Sequence, residues 1–447
     1  MACAFAPMNK PTSLSGPDAF TRELMRIDAL IQSGDLRDAA TALNTATQTQ
    51  PRDPRAFLLG MRLAEAAGNP AGAIDMAQRA VALNPTWPVS VTEVAMLLSR
   101  LGKHAEAVAQ VRRAAALAPR NPGVLQRAIE ISHAAADHEA AISWIRQSLE
   151  LAPRNVELRV WLSSKLIDAK QLDEASRVLD ELLQDAPDNR DALHNRLLCA
   201  RVAGDKERER QLADELLAAD PAHETYQYWH AIAHGETPKT QPRGLVRGLF
   251  DEYAGRFDTH LAQLGYRVPE TVSQMILNLH PDRRFNLLDL GCGTGLLGMF
   301  LGRIDGAIVG VDLSLEMIEK ATEHGVYARF HNVDLMDALR DTPGDQYEVI
   351  ASCDVLIYVG DLSEVIPNAL RILKPGGHFV FTCEAAQENE DNLVLRTSQR
   401  YAHKRSHVEA LCKAAGFASL EVVDIPALRR EGGEPLPGFI VVARKPD

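Results

Sequence analysis

Within a chain of 447 residues, the stretch 286–298 gathers the residue types best suited to chemistry: Asn-Leu-Leu-Asp-Leu-Gly-Cys-Gly-Thr-Gly-Leu-Leu-Gly. Asn286 to Asp289 read as a strand that ends in a carboxylate. Gly291, Gly293 and Gly295 follow at alternate positions around Cys292, and Leu296, Leu297, Met299, Phe300 and Leu301 open an apolar helix. A strand, a glycine turn and a helix start make a nucleotide-type cradle. Glycine permits positive φ and lets a ligand approach the backbone without meeting a Cβ. Gly293, Gly295 and Gly298 also spell GxGxxG, the dinucleotide fingerprint, but that pattern is short and built from a common residue. In a dinucleotide site the strand runs directly into the first glycine and a pyrophosphate sits at the helix start. Here the strand runs into Gly291 with Asp289 at its edge. A carboxylate there repels a pyrophosphate and suits an ammonium group.

A second carboxylate, Asp312, closes the apolar run Ala307–Val311. At a strand end it can accept from both hydroxyls of a ribose, whichever cofactor carries it. Its other reading, a helix N-cap for 314–323, is served better by Ser314. Further along lie Arg396, Arg400, His403, Lys404 and Arg405, with Arg429 and Arg430 beyond. Ligands of α/β sheets bind at the carboxyl ends of strands. A basic wall there implies an anionic acceptor held by charge-assisted hydrogen bonds. The competing reading is a solvated helix start. His403, whose unperturbed pKa lies near neutrality, is the leading candidate for a base or orienting group, with Tyr401 second. His378 sits inside a strand pattern and reads as structural.

The elements that position these residues fall into two halves. From 247 to 447, apolar runs near 286–290, 307–311, 327–332, 347–352, 377–383, 418–424 and 438–443 alternate with helical patterns. That alternation predicts a parallel α/β sheet. The last two runs lack a clear helix between them, so they can pair antiparallel. In the N-terminal half, Pro51, Pro85, Pro119, Pro153, Pro187 and Pro221 recur every 34 residues. Gly34, Gly68, Gly102 and Gly204 share one phase, with Ala136 and Lys170 in the intervening slots. Ala39, Ala73, Ala107, Ala141 and Ala175 share another, until Glu209 breaks it. The glycine slot serves a turn, the alanine slot a close helix crossing, and the proline ends the second helix. Six units cover roughly 20–223, and a helix near Glu224–His234 caps the stack, so the array spans 20–235. Residues 1–19 read as a flexible tail without a signal peptide, and the Gly/Pro-rich stretch 236–246 as a linker.

Composition narrows the function classes. A formal net charge of -12 argues against broad nucleic-acid or anionic-membrane binding. No stretch approaches the ~20 apolar residues of a membrane span. Six cysteines without a CxxC pair read as reduced, buried thiols rather than metal ligands or disulfides, as in a cytoplasmic protein.

The stretch Leu287–Gly295 resembles the first motif of class I S-adenosylmethionine-dependent methyltransferases, and the 34-residue unit resembles the tetratricopeptide repeat. Leu373-Lys-Pro-Gly-Gly377 resembles the turn that precedes the fifth strand in that methyltransferase family. The resemblance implies an all-α tetratricopeptide solenoid followed by a Rossmann-like, seven-stranded sheet whose last strand is antiparallel. It implies S-adenosylmethionine as cofactor and no metal. In the family pattern Leu313 and Met317 pack near the adenine, Asp334 accepts from its amino group, and Leu335 lies beside the ring. Cys353 and Asp354, at the fourth strand's end, line the cofactor, with Tyr358 on the acceptor side. Residues 249–261, with Arg400–His403, Leu428–Glu431 and Pro435–Gly438, resemble bacterial methyltransferases that carry tetratricopeptide repeats. Tyr253 and Phe257 are carried over as cofactor covers from the cap helix of related enzymes. The expected reaction is methyl transfer to oxygen, nitrogen or sulfur of a small anionic acceptor, with the repeats serving self-association or partner docking. The alternative is a protein or carrier-protein methyltransferase whose repeats select the polypeptide.

Overall fold

The computed structural model describes residues 18–258, 261, 265–431 and 434–447. Most of the expected tail, and Thr259 and His260 of the cap segment, lie outside the described residues. The chain forms two compact units, one ending at Asn195 and one starting at Arg196.

The first unit is a run of helix pairs: α1 (Ala19–Gln32) with α2 (Leu36–Thr49), α3 (Pro54–Ala66) with α4 (Pro70–Leu83), α5 (Pro88–Arg100) with α6 (His104–Leu117), α7 (Pro122–Ala134) with α8 (His138–Leu151), and α9 (Val156–Asp168) with α10 (Leu172–Asp185). The periodic residues have the physical roles their spacing predicts. Pro51, Pro85, Pro119, Pro153 and Pro187 each sit two residues past the second helix of a pair. There the missing N–H costs no helical hydrogen bond. The turn inside each pair needs a left-handed residue. Gly34, Gly68 and Gly102 supply it at φ +83°, +68° and +71°. Ala136 and Lys170 adopt it at +54° and +58° despite their Cβ atoms. The alanine slot is buried throughout, since Ala39, Ala73, Ala107, Ala141 and Ala175 are at most 1% exposed.

The second unit takes in the last pair's second helix. It contains α12 (Lys206–Ala219), α13 (Glu224–Ala233) and α14 (Arg243–Tyr253), and α11 (Arg190–Ala203) straddles the boundary. Glu209, which breaks the alanine series, is also 1% exposed. Its carboxylate accepts from Arg201 at 2.9 Å and from Lys206 at 2.8 Å. Residues 236–246, expected as a linker, are packed as well. The Asp361 N–H donates to the Lys239 carbonyl at 2.8 Å, and the Gln241 N–H donates to the Tyr358 carbonyl at 3.2 Å.

Beyond α15 (Val268–Leu279) comes the sheet: β1 (Leu287–Leu290), β2 (Ile308–Asp312), β3 (Arg329–Asn332), β4 (Tyr347–Ser352), β5 (Leu373–Ala386), β6 (Leu393–Leu395), β7 (Tyr401–Lys404), β8 (Ser419–Glu431) and β9 (Glu434–Arg444). Helices α16 (Leu296–Leu301), α17 (Leu315–Thr322), α18 (Leu335–Asp341), α19 (Val365–Ile372) and α20 (Arg405–Ala415) connect them. Strands β3, β2, β1, β4 and β5 run parallel in that order, and β9 joins β5 antiparallel with β8 outside it. Alternate side chains feed two cores, Leu288, Leu290 and Ile350 on one face and Leu287, Val349 and Ala351 on the other. A sheet covered on both faces reads as apolar runs, which is why the sequence exposes these strands. The seven expected strands are present, and the β6–β7 hairpin is an addition. Glu384 of β5 pairs with Gly438 of β9 and with Ala402 of β7, so β7 occupies the edge of β5 that β4 leaves past Ser352. Among the described residues, no helix is long and apolar enough to cross a membrane.

Candidate functional site

Strand order reverses at β1, which pairs with β2 on one side and β4 on the other. A crevice opens at such a switch point, and here it is a cavity of about 780 Å³. The loop after β1 forms its floor. Gly291, Gly293 and Gly295 all have positive φ, at +69°, +53° and +85°. A Cβ on Gly291 would stand 2.4 Å from the Val355 side chain, whereas one on Gly293 would meet only Phe257, at 3.8 Å. Gly291, Cys292 and Gly293 line the cavity, while Gly295 holds the turn above Ala321.

Two carboxylates flank that loop. Asp312 takes the Gly293 N–H on one oxygen at 2.8 Å and the Ser314 N–H on the other at 2.9 Å. Each oxygen keeps a second acceptor site for a hydroxyl. Burial raises its pKa, partly countered by those backbone bonds. Asp289 is 1% exposed at the cavity floor. The Tyr327 hydroxyl donates to it at 2.6 Å and accepts from the Gly298 N–H at 3.2 Å. Burial pushes the Asp289 carboxyl up to about 7, with the Tyr327 bond opposing and Asp312 adding to the rise. A buried carboxylate raised this far gains most from a cationic partner. Two carboxylates beside a positive-φ glycine loop fit a ligand that carries an ammonium and a ribose, as S-adenosylmethionine does.

Other expected cofactor residues divide. Leu313, Asp334, Leu335, Cys353 and Asp354 line the cavity. Asp334 also caps α18 through the Met336 N–H at 2.8 Å and lies 3.5 Å from Arg243. Met317 is a correction: it is fully buried and does not line the cavity, because its position on α17 faces the core. The cover residues Tyr253 and Phe257 line the cavity with their rings 5.5 Å apart. Phe250 links them to Tyr358, 5.3 Å away.

The acceptor wall differs most from expectation. His403 and Tyr401 sit in β7 at 2% and 0% exposure, and neither lines the cavity. His403 donates from Nε2 to the Gly360 carbonyl at 2.6 Å. Burial lowers its pKa to about 4, so it is a neutral structural imidazole. The Tyr401 phenol is raised by burial and has no partner among the described residues. Both were expected on the acceptor wall; pairing β7 into the sheet buries them instead. Arg396 also lies off the cavity, held by Glu390 at 2.5 Å. Arg430 is exposed and outside it. Arg400 and Arg429 do line it. Arg429 is 6% exposed in its side chain and bridges Asp354, at 2.7 Å, and Glu384. Its charge is thereby offset by two carboxylates.

Several lining residues escape sequence reasoning. Tyr266 lines the cavity, and burial, reinforced by Asp354, holds its phenol well above the usual range. Glu224, Gln227 and Tyr228 of α13 line it too, and the Tyr228 hydroxyl donates to Gln399 at 3.2 Å. Phe250 has a readable signal, since it stands three and seven residues before Tyr253 and Phe257, on one helical face. Tyr327 and the α13 residues have none, because nothing local links them to the glycine loop.

Both halves of the chain resemble known proteins. A family model described as a methyltransferase domain matches residues 288–379, and tetratricopeptide repeat models match 24–88 and 132–198. A ubiquinone biosynthesis O-methyltransferase of Proteus mirabilis is 27% identical over 99 residues, 22% of this chain and 40% of that protein. Methyltransferase GfsG of Streptomyces halstedii is 27% identical over 197 residues, 41% of this chain and 69% of that protein. The chain thus spans two fifths of the first relative's length. A crystal structure of Burkholderia thailandensis 1,6-didemethyltoxoflavin-N1-methyltransferase, with 1,6-didemethyltoxoflavin and S-adenosylhomocysteine bound, overlaps at a TM-score of 0.37 and 17% identity, covering 47% of this chain and 93% of that one. This chain carries a methyltransferase domain whose site fits S-adenosylmethionine, joined to an N-terminal array of tetratricopeptide repeats.

Proposed function

We propose that the protein transfers a methyl group from S-adenosylmethionine to a small-molecule acceptor. The observation that carries this reading is the pair of carboxylates, Asp289 and Asp312, flanking a positive-φ glycine loop at the floor of a cavity of about 780 Å³. Tyr358, Tyr266, Arg400 and Arg429 also line the cavity, and in this reading they serve the acceptor. The bound cofactor supplies a methyl group already activated on a sulfonium. The chain's own contribution is to hold the acceptor in line and exclude water, so proximity is the main lever. Phe250, Tyr253 and Phe257 form the cover. No histidine lines the cavity among the described residues. An acceptor that must lose a proton gives it to a carboxylate or water, or binds already deprotonated. Of the expected basic wall, Arg400 and Arg429 line the cavity, and in the anionic-acceptor reading these are the cations the acceptor meets.

A second reading has one observation in its favour. Helix α13, which follows the last repeat, brings Glu224, Gln227 and Tyr228 to the cavity. In that reading the acceptor is a polypeptide or carrier that contacts this helix. One experiment separates the two. The purified protein is incubated with methyl-labelled S-adenosylmethionine and source-cell extract, and the products are fractionated by size. Label among small metabolites supports the first reading and label in macromolecules the second. Label in neither, beyond an Asp289→Asn control, removes both.

A further inference from the structure

On the side chains of α12 and α13, away from the cavity lining, three potential metal ligands meet. His230 and His234 are four residues apart, so they share one face at the end of α13. Their rings lie 4.3 Å apart, tilted by 36°. Asp214 of α12 reaches both, with one oxygen 3.1 Å from His230 Nε2 and 2.8 Å from His234 Nε2. One ligand atom from each residue falls within 4.8 Å of the others. These are hydrogen-bond separations. A tetrahedral ion with nitrogen and oxygen ligands at about 2.0–2.2 Å needs its ligands about 3.4 Å apart. Against that spacing, the Asp214 oxygen stands about 0.3 Å too close to His230 and about 0.6 Å too close to His234. All three are partly exposed, with side chains 56%, 34% and 36% accessible for Asp214, His230 and His234. An ion can therefore enter, and the rings can adjust without disturbing a core.

We propose that Asp214, His230 and His234 form a binding site for a divalent transition-metal ion, with zinc the best match. Two imidazoles and one carboxylate are a borderline donor set that suits zinc, nickel or copper over magnesium or calcium. Three protein ligands leave a fourth position for water. The ion fastens α12 to α13, two helices that the bond from Arg210 Nε to the Ala233 carbonyl at 3.2 Å also joins. The helix it fastens is the one that carries Glu224, Gln227 and Tyr228 to the cavity. The ion touches no cavity residue, so this site is independent of the proposed methyl transfer.

The test titrates zinc chloride into the full-length protein after chelator treatment, read by calorimetry, with the melting temperature followed in parallel. Cobalt, added alone, gives a visible absorption spectrum that reports its ligand geometry. One saturable zinc equivalent is expected, together with a zinc-dependent rise in melting temperature. His230→Ala and His234→Ala should each weaken binding by more than about tenfold, since loss of even a group behind a ligand costs that much. His230→Gln and His234→Gln, which keep the side-chain bulk, should do the same while leaving the metal-free melting temperature in place. That result excludes a mere folding defect. Absence of saturable zinc binding overturns the proposal. So does binding that survives the His230→Gln/His234→Gln double variant, because the ion then sits elsewhere.

Discussion

Asp289 shows how burial sets a residue's behaviour. Its carboxyl titrates near about 7 in the folded chain, against an unperturbed value of about 4. A folded-state pKa raised in this way contributes stability that is present in full below about pH 4 and is lost as the pH climbs through about 7. Without cofactor, the wild-type protein should therefore lose melting temperature relative to Asp289→Asn between about pH 4 and 7, and the difference should level above that. Cofactor affinity runs the other way. It should rise with pH up to about 7 and then level, because only the ionised carboxylate attracts an ammonium. Asp289→Asn should lower that affinity by about 10- to 100-fold, the worth of one charge-assisted hydrogen bond at roughly 1.5–3 kcal/mol. Calorimetry across the pH range checks both the slope and the loss. Arg429 makes a second case. Removing it takes the arginine from Asp354 and the nearer arginine from Glu384, which is 3% exposed in its side chain and keeps Arg396 at 3.6 Å. Arg429→Ala should cost about 3–5 kcal/mol in urea denaturation, as expected when one member of a buried ion pair is lost. A loss below about 1 kcal/mol would mean that water reaches these carboxylates.

At the scale of elements, the repeat turn is set by a backbone angle rather than by packing. Lys170 holds φ +58° where three equivalent turns in the same unit use glycine. A left-handed conformation costs an L-residue about 1–2 kcal/mol, less what glycine gives up in chain entropy. Lys170→Gly should accordingly stabilise the protein by up to about 1 kcal/mol, measured by chemical denaturation. β7 has the opposite character, since its place depends on distant partners. It pairs with β5 and β6, and His403 on it ties to Gly360, across which Lys239 also packs. A Cβ on Gly360 would meet the Lys239 carbonyl at 2.4 Å. The segment expected as a linker is thus seated on the loop that presents Tyr358.

At the scale of the molecule, the compact units do not divide where the repeats end. Every cavity-lining residue has a number of 224 or above, so the full lining lies in the unit that begins at Arg196. A truncation starting at Arg190, which keeps α11 whole, retains that lining. One starting at Glu236 removes Glu224, Gln227 and Tyr228. The longer fragment should bind S-adenosylmethionine as the full chain does, and the shorter one should bind more weakly, both measured by calorimetry. Equal affinities would show that α13 takes no part in shaping the cofactor pocket.

The parts of this protein that the sequence by itself determined are those with local causes. A 34-residue period of proline, left-handed turn residue and small residue specifies a helix pair, because each acts within its own unit. Asp289, the glycine loop and Asp312 were legible for the same reason. A strand end, a turn and the next strand end are adjacent along the chain, and their side chains suit the chemistry wherever the sheet goes. Only the tertiary structure decided which of the candidate side chains face the cavity. Arg396, Arg430, His403, Tyr401 and Met317 look as available in sequence as Arg400 and Arg429. Strand pairing and helix facing turn the first group away and the second inward. Tyr327 reaches Asp289 across 38 residues, and α13 reaches the cavity from before the first strand. Such contacts depend on how elements pack, and no residue's neighbours in sequence carry that information.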